Sequence, residues 1–142
     1  MVWDRWQTYA LGSALFAGLT AILGKIGVTG VNSNYATFIR TVVILAFIAG
    51  LVSVREEWQK ITEISGRSLI FLVLSGLATG LSWICYYRAL QLGPASKVAP
   101  VDKLSVGFAI ILALVFLKEP LTWQTVVGGL LVVSGSLVLA FL

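Results

Sequence analysis

The chain has 142 residues, of which 58% are hydrophobic and 11% are charged, and its mean hydropathy is +0.97. A soluble domain carries roughly a quarter charged residues, so this composition indicates an integral membrane protein. The sequence has no histidine and one cysteine, Cys85, which excludes an imidazole base, a His-ligated metal site and an internal disulfide. Its net charge of +4 comes from basic residues that mostly flank apolar runs, so we expect no nucleic-acid partner.

Five apolar segments are each long enough to cross the core of a bilayer, which takes about 20 residues of helix. Glycine, asparagine, proline and charged residues separate them, and little of the sequence lies outside them. We therefore predict an all-α integral membrane protein with five transmembrane helices and a single domain over 1–142. The predicted spans are about 8–24, 35–54, 68–87, 98–117 and 123–142.

The segments outside the spans give two further expectations. Asp4 stands beside Arg5 before the first span, which is a poor start for a signal peptide, so we expect the first span to be retained. Between the second and third spans, the connector Arg55–Arg67 places Trp58 and Ile61 among charged residues. A short interfacial helix and an ordinary polar loop both fit this pattern.

The positive charges barely distinguish the two sides of the membrane. Five spans put the termini on opposite sides, and each side receives five basic residues when those just inside the helix ends are counted. Counting clear loop positions alone favours a cytoplasmic N-terminus. So weak a bias permits insertion in both orientations, an arrangement called dual topology.

Polar and small side chains fall on stripes along several spans when residues are placed at about 100° per step. Such stripes are expected around a shared cavity. Small and hydroxyl residues also mediate helix packing, and this second interpretation stays open for each serine and threonine. The residues predicted to line a substrate cavity are Thr37, Arg40, Thr79, Ser82, Trp83, Tyr86 and Ser105.

Two opposite charges lie at similar depth inside predicted spans: Arg40 in the second and Asp102 in the fourth. An ionised group in hydrocarbon is costly and is usually functional or paired. A structural ion pair that joins the two spans is one interpretation. A coupled site is the other, in which Arg40 and Lys103 hold a negative group of the substrate and Asp102 is proton-sensitive. Arg88 lies on the leucine face of its helix, where we expect it to reach the lipid headgroups.

Two stretches of the sequence resemble a known family. Tyr86–Ala95, followed by Val98–Val101, is similar to the passage from the third to the fourth helix of EamA domains, the five-helix units of the drug/metabolite transporter superfamily. Leu117–Thr122, followed by Gly128–Leu131 and Gly135, resembles the closing motif of that domain. The order and spacing of these motifs extend the resemblance over essentially the whole chain.

The resemblance implies a membrane transporter of small metabolites. Most members carry two such units as inverted repeats around a central cavity, and this chain has one, so pairing with an oppositely inserted copy is implied. The spacing of Gly128 and Gly135 is similar to the dimerisation helix of small multidrug resistance proteins, which implies a dimer contact there. Those exporters bind cations at a glutamate of the first helix, and the first span here has no acid, so their mechanism is not implied.

The leading hypothesis is a small-molecule transporter of the drug/metabolite type, acting as a homodimer in a prokaryotic inner membrane. The excess of positive charge at membrane depth favours an anionic or zwitterionic metabolite as substrate. A non-transporting membrane subunit, or a partner of another half-size protein, is one alternative, and a flippase for lipid-linked sugars is another. The expected partners are a small-molecule substrate and the lipid bilayer. No nucleophile–base pair is found, so we expect neither catalysis nor a cofactor.

Overall fold

The computed structural model describes residues 5–141, and this part of the chain is helical without strands. It has five helical stretches that are long and apolar enough to cross a membrane, which confirms the all-α class and the predicted number of spans. Met1–Asp4 and Leu142 lie outside the described residues, so the retention of the first span and the last residue of the fifth stay predictions. The helices are α1 (Arg5–Gly27), α2 (Ser33–Val54), α3 (Gly66–Leu92), α4 (Ala95–Asp102), α5 (Ser105–Leu112) and α6 (Trp123–Phe141).

Side-chain caps start three of these helices. Asn32 Oδ1 accepts hydrogen bonds from the backbone N–H groups of Asn34 and Tyr35, at 2.9 and 3.3 Å, where α2 begins. Ser65 Oγ and Thr122 Oγ1 accept backbone N–H bonds at the starts of α3 and α6. The first N–H groups of a helix have no partner inside it, so these side chains fix where the helices begin.

The third helix ends at Leu92 rather than at the predicted Tyr87. It continues until Pro94 stops it, because the residue before a proline avoids helical backbone angles. The connector before α3 forms one short 3₁₀ turn, Ile61–Glu63, instead of an interfacial helix. Its Trp58 turns back to α2, and Nε1 donates a hydrogen bond to Ser53 Oγ at 3.0 Å.

The fourth span is interrupted, whereas the sequence predicted one continuous helix over 98–117. α4 contains Pro100, which has no N–H to donate to the carbonyl four residues earlier. α4 ends at Asp102, and the N–H of Lys103 bonds the carbonyl three residues back, at 2.9 Å. After α5, residues 113–117 form a π-helical turn that ends at Lys118, where φ is +56°.

The chain divides into two compact units. The first, Gly27–Gln91, contains α2, α3 and their connector, and is called the α2–α3 unit. The second combines α1 with the chain from Leu92 onward, and is called the α4–α6 unit; within it α4 and α5 both pack against α6. Lys25 Nζ donates to the carbonyl of Gly93 at 2.8 Å, which fastens the end of α1 to the link before α4.

Candidate functional site

Arg40 of α2 lies against two aromatic rings of α3. Its guanidinium carbon is 4.1 Å from the centroid of the Trp83 ring and 5.3 Å from that of Tyr87. The two rings stand four residues apart and therefore share one face of α3. A guanidinium over an aromatic face is attracted by the ring quadrupole, most strongly by that of tryptophan. The structure thus brings together Arg40 and Trp83, two residues that the sequence analysis placed in the substrate cavity.

Tyr87 anchors this cluster. Its side chain is 5% exposed, and its ring meets that of Tyr86 edge-on with the centroids 6.3 Å apart. Tyr86 is itself half-buried. Because a ring with so little exposure has few alternative positions, Tyr87 holds its face toward the guanidinium.

The hydroxyl residues predicted for the cavity divide into two kinds. Thr37, buried three residues before Arg40, donates its hydroxyl proton to Ser33 O at 2.9 Å, and Thr79 does the same to Ser75 O at 2.9 Å. Bonds of this kind satisfy a hydroxyl proton within its own helix, and the place of Thr37 and Thr79 in a cavity stays a prediction. Ser82 and Ser105 are exposed, and Ser82 lies about 100° around α3 from Trp83. Their place in a cavity stays a prediction.

Asp102 and Lys103 lie at the interruption of the fourth span. Lys103 Nζ is 3.2 Å from Asp102 Oδ2, and the two side chains are 52% and 38% exposed. On a continuous helix neighbouring residues point about 100° apart. Here α4 ends between them, so the lysine side chain reaches back to the carboxylate. Pairing of Asp102 with Arg40, and a shared role of Arg40 and Lys103, stay predictions.

The two glycines assigned to a dimer contact lie on an open face of α6. A Cβ atom at Gly128 or at Gly135 would meet nothing within 4 Å. The adjacent face is packed: a Cβ at Gly129 would lie 2.7 Å from Ile110 Cδ1, and one at Gly107 would lie 3.0 Å from Val133 Cγ2. α6 therefore uses one glycine face inside its own unit and leaves the other uncovered in this structure of a single chain.

A cavity that the sequence analysis missed lies between α5 and α6. Its volume is about 450 Å³, and apart from Thr125 its lining side chains are apolar. The close approach of helices at Gly107 and Gly129 forms part of its wall. The glycines were visible in the sequence, but periodicity does not say which of them face a neighbouring helix. The lining also includes Leu104, Phe108, Ile111, Leu121 and Val133.

Two polar contacts at the end of α3 were not predicted from the sequence. Gln91 Nε2 donates to the carbonyl of Val31 at 2.7 Å, which ties α3 to the segment before α2. Arg88 donates to Gln91 Oε1 at 2.7 Å while remaining exposed. Arg88 therefore supports a helix end through Gln91, and its contact with lipid headgroups stays a prediction.

The described helices define an integral, multi-pass membrane protein. The model of the EamA-like transporter family matches residues 4–141. The chain belongs to that family, and it is a membrane transporter by that relationship.

Similar proteins are known from bacteria and from animals. The chain is 52% identical over 137 residues to a Sinorhizobium sp protein named "Uncharacterized transporter in cobO 3'region", covering 96% of this chain and 97% of the relative. It is 34% identical to "Solute carrier family 35 member G1" of Homo sapiens, covering 89% of this chain and 34% of the relative. It is 30% identical to a "Probable terminal-alkyne amino-acid exporter" of Streptantibioticus cattleyicolor, covering 98% of this chain and 44% of the relative. No solved structure matches the chain.

Proposed function

We propose that this transporter carries an anionic or zwitterionic metabolite and that Arg40 binds the negative group of the substrate. One observation carries the proposal: a guanidinium inside a membrane span rests on aromatic rings. Among the described residues of its own unit, Gly27–Gln91, no carboxylate forms an ion pair with it. A charge at this depth is costly, and such charges are usually paired or functional. An anion that enters the site supplies the missing partner.

The Streptantibioticus relative supports this class of substrate. Its name refers to the export of an amino acid, and amino acids carry a carboxylate at neutral pH. The chain covers less than half of that relative, so the similarity supports the class and not the particular compound.

Asp102 is the proposed proton-sensitive residue. It lies at the interruption of the fourth span and is paired with Lys103. Protonation of the carboxylate would remove the attraction that holds this pair and would leave the lysine charge unmatched. A change of protonation at Asp102 would therefore alter the local structure where the helix is already broken.

A homodimer is the proposed working assembly, and an antiparallel arrangement is the one that the family design favours. The chain covers 97% of one relative but 44% of another, so proteins of this size exist beside longer ones with room for a second unit. The open face at Gly128 and Gly135 gives a second chain close access to the backbone of α6. The inner membrane of a prokaryote is the proposed location.

Transport is tested with the purified protein in liposomes. The probes are radiolabelled L-amino acids, monocarboxylates and sugar phosphates, each measured against protein-free liposomes. Uptake of a carboxylate or phosphate compound is expected. The uptake rate should fall at least about tenfold in Arg40→Ala, because a charged hydrogen bond to the substrate is removed. Arg88→Ala is the matched control and should transport like the parent protein. Equal loss in both variants at equal protein levels would contradict the assignment of Arg40.

The orientation is tested in intact cells. A cysteine is appended after Leu142 in a Cys85→Ser background and labelled with a membrane-impermeant thiol reagent, before and after permeabilisation. Labelling of about half of the chains from outside is the result expected for dual topology. Labelling from one side alone would contradict an antiparallel homodimer. It would favour a parallel pair or a partner protein inserted in the opposite orientation.

A second candidate function is the movement of an amphiphile such as a lipid-linked sugar. The apolar cavity of about 450 Å³ between α5 and α6 favours it, since this volume is within the range of ligand pockets and its lining is almost without polar groups. A fluorescent lipid-linked sugar in the same liposomes tests the idea. Faster exposure of the label to an external quencher than in protein-free liposomes would support it, and an unchanged rate would reject it.

A further inference from the structure

The aromatic contacts of Arg40 leave the hydrogen-bonding edges of its guanidinium available. The five N–H donors of this group lie in its plane and point outward from its edges. The Trp83 centroid lies 4.1 Å from the central carbon, a distance at which the flat face of a guanidinium stacks on an aromatic ring. Stacking and in-plane hydrogen bonding use different parts of the group, so they can occur together. The in-plane edge matches the two oxygens of a carboxylate.

Within the cluster that it forms with Trp83 and Tyr87, Arg40 brings the positive charge, and the threonines beside it add no proton donor. Thr37 Oγ1 donates to Ser33 O at 2.9 Å, and Thr41 Oγ1 donates to Thr37 O at 2.8 Å. A hydroxyl that donates to its own helix presents acceptor lone pairs to a ligand. These threonines therefore add no donor for a second negative charge.

The charge available in this cluster is one unit. Arg40 is the single charged residue in the sequence of α2, Ser33–Val54. Arg88 is exposed and bonded to Gln91, and Lys103 of the other unit is paired with Asp102. A carboxylate brings one negative charge, which one guanidinium balances. A phosphate monoester brings about 1.5 to 2 negative charges at neutral pH and would leave an excess inside the membrane span.

We propose that Arg40 selects a monovalent carboxylate over a phosphate ester, and that Trp83 and Tyr87 are positioning residues that hold its guanidinium edge-on to the ligand. This inference rests on the proposed function, because it names the chemical class that the transport site accepts. Trp83 then acts through its contact with the arginine. Tyr87, which the sequence analysis did not select, joins the site through its ring.

The selectivity is tested by calorimetry on the full chain purified in detergent. The probes share one benzyl group: phenylacetate, its neutral amide phenylacetamide, benzylphosphonate as a dianion in alkaline buffer, and the monomethyl ester of benzylphosphonate as a monoanion. Phenylacetate should bind at least about tenfold more tightly than the amide, which has no charge for the guanidinium to bind. It should also bind at least about tenfold more tightly than the dianion, which brings more charge than one guanidinium balances. The monomethyl ester should bind more tightly than the dianion, because its charge is matched.

The arginine variants separate charge from geometry. Arg40→Gln should lose phenylacetate binding by at least about tenfold, and Arg40→Lys should lose part of it, because an ammonium lacks the planar edge. Arg88→Gln should bind like the parent protein. Dianion binding equal to or tighter than phenylacetate binding would overturn the inference, as would the absence of phenylacetate binding or its equal loss in Arg88→Gln.

The positioning role is tested by two Trp83 variants with unchanged melting temperature. Trp83→Phe keeps an aromatic face and should bind phenylacetate nearly as well as the parent, whereas Trp83→Leu should weaken binding about 3- to 10-fold. In an Arg40→Gln background, Trp83→Leu should have no further effect. An additive loss there would mean that the ring contacts the ligand directly and would overturn the positioning role. Calorimetry tests the selectivity for a carboxylate, and the liposome assay tests transport, so the two claims can fail separately. If the selectivity fails but the liposomes take up another metabolite, the proposed transport function stands.

Discussion

The two units of the chain each carry charge inside a membrane span, and they stabilise it in different ways. In the α2–α3 unit the Arg40 charge rests on the rings of Trp83 and Tyr87. In the α4–α6 unit Asp102 is balanced by its sequence neighbour Lys103 at 3.2 Å. An aromatic contact attracts a cation without neutralising it, whereas an ion pair neutralises both groups. Asp102 therefore has a partner of opposite charge within its own unit, whereas Arg40 is proposed to receive one from a ligand.

Giving Arg40 a carboxylate partner should have the largest effect. Trp83→Glu would convert the aromatic contact into an ion pair like that of Asp102 and Lys103, so the guanidinium edge would no longer be free for a ligand. We expect a loss of phenylacetate binding of about 100-fold or more, since a competing charge must be displaced. Trp83→Gln is the matched control without the charge, and a smaller loss is expected. Similar losses in the two variants would contradict the contrast between the units.

Removing one member of the Asp102–Lys103 pair should have an intermediate effect. Asp102→Asn or Lys103→Gln alone leaves an unmatched charge in the fourth span and should lower the folding free energy by at most about 2–3 kcal/mol, because both side chains are partly exposed. The double variant has no charge to match and should recover most of the loss. Thermal unfolding in detergent measures all three. If the double variant is as unstable as the sum of the single ones, the ion pair does not balance the charge.

The smallest effect should come from the two neighbouring glycines of α6. Gly129→Val places side-chain atoms against Ile110, where even a Cβ would be 2.7 Å away, and should destabilise the protein by about 1–2 kcal/mol. Gly128→Val enters open space within the chain and should leave the melting temperature unchanged while reducing the dimer fraction. Unfolding curves and the mass in detergent check the pair. A dimer fraction unchanged in Gly128→Val would remove this glycine from the proposed contact.

Much of the fold follows from local features of the sequence. The five apolar segments are longer than the core of a soluble protein requires. Three helices begin where a side chain accepts the first backbone N–H bonds, at Asn32, Ser65 and Thr122. The interruption of the fourth span was harder to predict, since a proline within a membrane helix is often tolerated. Its position became clear from the bond between the N–H of Lys103 and the carbonyl of Pro100.

The candidate site was predictable as a set of residue types but not as a set of contacts. The cost of a charge in hydrocarbon singled out Arg40 without any structure. Helical periodicity puts Trp83 and Tyr87 on one stripe of α3 and Thr79 and Tyr86 on the neighbouring one, but it does not say which stripe meets Arg40. Thr79 is bonded to its own helix, and the Trp83 stripe carries the contact with Arg40.

The sequence by itself determined that this chain spans a membrane five times and which charges lie inside the spans. Both properties depend on the length and composition of single segments, because a helix in a bilayer satisfies its own backbone hydrogen bonds. The tertiary structure decided which partner each charge has. The face that a helix turns toward its neighbour is set by side-chain packing between segments far apart in the sequence, as between Arg40 and Trp83, and no single segment contains that information.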